Sequence, residues 1–100
     1  MPKYAAETYH PGQVEDFLHE RGFDHLRARK HGAAVIVESG PLKNAIKHFR
    51  VRRDTVHYWL LDVADHRGTW QRTPFRGLLD DVLALVPENF SWVIADTADN

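Results

Sequence analysis

Six apolar positions, Phe75, Leu78, Leu79, Val82, Leu83 and Val86, follow the i, i+3, i+4, i+7, i+8, i+11 series without a gap, the strongest helical signal in the chain. Thr73 as a cap and Pro74 in the first turn predict where that helix starts, and Pro87 predicts where it stops. A narrower stripe, Val14, Phe17 and Leu18, predicts an earlier helix over residues 11–21. Pro11 suits its first turn, while Glu15 and Asp16 are read as early and His19 and Arg21 as late, where the helix dipole favours each sign. Gly22 is the expected left-handed stop, with Phe23 packing back on Leu18.

Between these helices the period changes to that of strands. Residues 26–39 read as a hairpin: a basic stretch from Arg27 to His31, a turn at Gly32, then the β-rich run 33–37. Gly40 and Pro41 open a connection with room for one helical turn at 44–46. Residues 48–53 alternate, with Phe49 and Val51 on one face and His48, Arg50 and Arg52 on the other. The run 56–63 is apolar or aromatic on both faces and is expected to be an interior strand; the register decides whether Tyr58 or Trp59 shares the arginine face. A loop at 64–68 leads into a strand at 69–72, and Phe90, Trp92 and Ile94 form either an edge strand or a clamp over the core. The ends, 1–10 and 96–100, are expected to fray.

The expected fold is therefore a single α+β domain over residues 1–100: an N-terminal helix, about five mostly antiparallel strands and a C-terminal helix. Short connections favour antiparallel pairing, and the simplest packing puts both helices on one sheet face, leaving the other to water or a partner. Composition agrees. With 43% hydrophobic and 27% charged residues, the chain can bury one modest core. The absence of cysteine excludes disulfides, thiolate catalysis and cysteine-held metal. No apolar run spans a bilayer and the start lacks a signal-peptide pattern, so the expected setting is cytoplasmic, without a membrane.

Charge changes this picture. The formal net charge is −1, yet residues 21–53 carry +7, flanked by −3 before and −5 after. The basic segment overlaps the predicted sheet, which nominates Arg27, Arg29, Lys30, His48, Arg50, Arg52, Trp70 and Arg72 as a binding surface. Guanidinium groups pair with phosphates and carboxylates, and aromatic rings offer stacking surfaces. The expectation is a small non-enzymatic binding or regulatory protein. A protein partner comes first, the chain acting as inhibitor, antitoxin, immunity factor or accessory subunit, with a homodimer also allowed. A nucleic-acid module for RNA or single-stranded DNA comes second.

Catalysis is weighed third. The seven histidines make no HxH, HxxxH or HExxH pair, and the six glycines form no phosphate loop, so no cofactor or metal is expected. His57 and His66, with Asp62 and Asp65 between them, are the one hydrolase or nuclease arrangement to inspect. If Arg50 and Arg52 are exposed, replacing both with alanine should leave the melting temperature nearly unchanged.

Overall fold

The computed structural model of the chain describes residues 4–94. Its elements run α1 (His10–Glu20), β1 (Arg27–His31), β2 (Ala34–Ser39), β3 (Ile46–Arg53), β4 (Tyr58–Ala64), β5 (Trp70–Leu78) and α2 (Leu79–Asn89). The strands form one antiparallel sheet in the order β1-β2-β3-β4-β5, each paired with its neighbour in sequence as short connections dictate. Both helices cover the same face. Val14 and Leu18 of α1 and Leu79, Val82, Leu83 and Val86 of α2 pack on Val35, Val37, Phe49, Val51, Trp59 and Leu61 in one core. Trp59 thus faces the helices, and Tyr58 faces the other side.

The first helix ends as its sequence predicts. Gly22 takes φ +89°, its N–H donates to the His19 carbonyl, and the Phe23 N–H donates to the Leu18 carbonyl, the paired bonds of a Schellman stop. Its start differs: α1 begins at His10, so Glu15 and Asp16 lie mid-helix and its first turn carries no acid. Of the end expected to fray, residues 4–9 are described, and backbone groups of Ala5 and Ala6 are bonded. The Ala6 N–H donates to the Gly32 carbonyl, and Arg53 donates from Nη1 to the Ala5 carbonyl at 2.8 Å. The expected fraying at 96–100 lies outside the described residues.

The second helix starts later than its period implies. Phe75 and Leu78 belong to β5, a nine-residue edge strand in which Thr73 and Phe75 face the helices. Pro74 costs nothing in the ladder there, since an edge strand has one unpaired side, and Thr73 Oγ1 donates to the Leu61 carbonyl where the register is irregular. Asp80 and Asp81 then supply the acidic first turn. Pro87 lies inside the helix, which runs on to Asn89. At 43–44 a turn replaces the expected helical turn, and β3 begins at Ile46 because Ile46 pairs with Ser39. Residues 90–94 form a turn-rich clamp, not a strand, that buries Val93 and Ile94 against the core.

Candidate anion-binding face

The side of the sheet away from the helices is built by register. Cross-strand partners share a face, so one row across it reads Arg29, Ile36, Arg50, Asp62, Arg72, and the next reads His31, Ala34, Arg52, Leu60, Arg76. Cations therefore fall on the odd strands: Arg27 and Arg29 on β1, Arg50 and Arg52 on β3, Arg72 and Arg76 on β5. The even strands between them carry Ala34, Ile36 and Leu60 and two carboxylates, Glu38 and Asp62.

Those carboxylates organise the face. Asp62 has no exposure and accepts hydrogen bonds from Arg50 Nε at 2.8 Å and from Arg52 through both Nε and Nη2. Glu38 is buried and accepts from Arg29 Nε at 3.1 Å, with Arg27 Nε 3.8 Å away. The arginines keep more exposure than the acids they hold, 24% and 27% for the Arg50 and Arg52 side chains and 45% for Arg29. A buried acid shared by two partly exposed guanidiniums leaves a surplus of positive charge facing outward. Arg29 and Arg50 use Nε for these bonds, so their terminal nitrogens remain for a ligand. Arg72 makes no hydrogen bond or ion pair among the described residues. Arg76 bonds Asp54 at the rim at 2.7 Å.

Two aromatics lie on this face, and each sits under an arginine. The Arg50 guanidinium is 4.8 Å from the Trp70 ring centre, and that of Arg76 is 4.6 Å from Tyr58. Of the nominated residues, the sheet thus brings together Arg27, Arg29, Arg50, Arg52, Trp70 and Arg72. Sequence reasoning missed Arg76, whose place depends on the irregular β4–β5 register, and the organising role of Glu38 and Asp62.

Lys30 and His48 do not belong. Lys30 pairs with Val35, a core residue, so it projects on the helix side at the sheet edge. His48 sits at a bulge: Val37 pairs with Phe49 but Glu38 pairs with Lys47, so the strict alternation behind its assignment fails. His48 is buried, donates from Nδ1 to the Val93 carbonyl, and accepts at Nε2 from the Ser39 hydroxyl at 2.7 Å. The serine–histidine pair ties the clamp to the sheet, helped by His25, whose Nε2 donates to the Ile94 carbonyl at 2.8 Å.

The weighed catalytic group is not assembled. His57 precedes β4 and His66 follows it, so seven extended residues, about 23 Å, separate them. Asp62 is committed to its arginines. Asp65 accepts from the backbone of Thr69 and Arg67 in the β4–β5 turn, and these bonds, Thr69 first, hold its carboxyl below the ordinary value. Among the described residues no cluster of three His, Cys, Asp or Glu could hold a metal, and no helix is long and apolar enough to cross a membrane.

Fold and site define an α+β protein of two layers, helices on one side of a five-stranded meander and an arginine-striped sheet on the other. Comparison of the chain with protein-family models, with curated proteins and with solved structures found no match.

Proposed function

We propose that this protein works by binding, and that its arginine-striped sheet face docks on the anionic surface of a macromolecular partner. The observation that carries this reading is a sheet face of six arginines that no other element of the described residues covers, four of the six held by two buried carboxylates. Arginines held in place from beneath lose little conformational freedom when they meet an anion, and their planar forks suit phosphate or carboxylate. Positive charge concentrated on one face also steers encounter even when the whole chain is close to neutral.

The test is retention on immobilised polyanions. The protein should be held at about 50 mM salt and released as salt rises, despite its formal charge of −1. The variant with Arg72→Ala and Arg76→Ala should elute earlier, with its melting temperature nearly unchanged. Neither arginine bonds a buried carboxylate, so Glu38 and Asp62 keep every guanidinium that holds them and the fold is preserved. Passage of the natural protein straight through, alongside the variant, would contradict the reading.

A further inference from the structure

The layout of the face names the class of anion. Protein interfaces are depleted of charge at their centre, with apolar and aromatic contacts there and a polar rim. This face is inverted. Its middle rows present arginine, while the apolar residues between them are buried, Ile36 to 4% exposure and Ala34 to 6%, or half-buried, as Leu60 is. Its exposed apolar side chains, Tyr58 and Leu78, pair with one another at one end. Interfaces with nucleic acid are the ones built around positive charge.

The aromatics narrow the class further. Proteins that grip single strands offer open ring faces on which bases stack. Here Trp70 and Tyr58 each carry a guanidinium over the ring, so they hold arginines in place instead of presenting a stacking platform. The stripes on β1, β3 and β5 lie two strands apart, roughly 10 Å. That is the scale of duplex grooves, about 6 and 12 Å wide, which phosphate rows flank. Opposite charge lies on the far side: α1 and α2 carry Glu15, Asp16, Glu20, Asp80, Asp81 and Glu88 and no lysine or arginine. A polyanion is therefore met by one face only.

Resting on the reading that the sheet face takes an anionic macromolecule, we infer that this macromolecule is a double-stranded nucleic acid, held by its phosphate backbone without readout of base sequence. The arginines supply bidentate phosphate contacts, and among the described residues both aromatic rings of the face are engaged by an arginine instead of a base.

Fluorescence anisotropy with a labelled mixed-sequence duplex of about 20 base pairs, its single strand, and polyglutamate tests this across about 50 to 200 mM salt. The duplex should bind at least as well as the single strand, with unrelated sequences within about threefold. The plot of log affinity against log salt should have a slope of about −3 to −5, less steep by about 2 for Arg72→Ala with Arg76→Ala. Binding of polyglutamate but not duplex would overturn the inference and leave the broader reading standing. A tighter single strand, or a sequence preference beyond about tenfold, would also overturn it. If none of the three polyanions binds, both readings fall.

Discussion

Asp62 is the residue on which the arginine face depends. It sits at zero exposure with three hydrogen bonds from two arginines, so Asp62→Asn leaves two guanidiniums around a neutral amide. We expect it to lose about 2 to 4 kcal/mol of stability in urea unfolding, against less than about 0.5 for Arg72→Ala on the same face. The same geometry revises the expectation for Arg50 and Arg52. Replacing both strands a buried carboxylate without a partner, so that pair of changes should lower the melting temperature substantially, and binding is better tested at Arg72 and Arg76. A second residue, His10, should make stability depend on pH. It is buried against Trp59 and its Nδ1 accepts from the Glu7 N–H, and burial, then the Arg53 charge, hold its value below 6.5. The folded chain binds this proton less readily than the unfolded chain does. Its contribution is complete above about pH 6.5 and is lost as pH falls through the lowered folded-state value. The melting temperature should drop across that window, and less so in His10→Asn, whose side-chain oxygen can keep the bond from Glu7.

Among the elements, α1 was legible in detail because its stop is local chemistry: a glycine and an apolar residue after a short apolar stripe. Gly22→Ala should cost about 1 kcal/mol in thermal or urea unfolding. An added Cβ meets nothing within 4 Å, so the whole effect comes from φ +89°. The second helix was misplaced at its start because Phe75 satisfies both periods: it packs on the core from a strand as well as it would from a helix. What decided it was the pairing of Arg76 with Leu60 and Leu78 with Tyr58, which no local pattern contains. His48 was lost from the face for the same kind of reason. A bulge belongs to two strands at once, and alternation along one of them cannot show it. The arginines of β3 were legible because Phe49 and Val51 set their parity; on β1 the basic run offered no such reading, and Lys30 was nominated beside Arg27 and Arg29 although it faces the other way.

At the scale of the whole molecule, charge that nearly cancels along the sequence is partly sorted by layer, with six acids on the helices and six of the nine arginines on the open sheet face. The sequence showed that the middle third is basic and that one sheet face should be open. It could not show how far the fold neutralises that charge, because Glu38 and Asp62 come from different strands than the arginines they hold. The neutralisation is partial, and the remainder faces outward. Protein NMR tests this most directly, by following the arginine Nε–H and backbone amide signals as a short sulfated oligosaccharide, a generic polyanion, is added. The account predicts shifts at Arg29, Arg50, Arg72 and Arg76 and along β1, β3 and β5, with α1 and α2 unmoved. Shifts confined to the helices, or none at low salt, would contradict it.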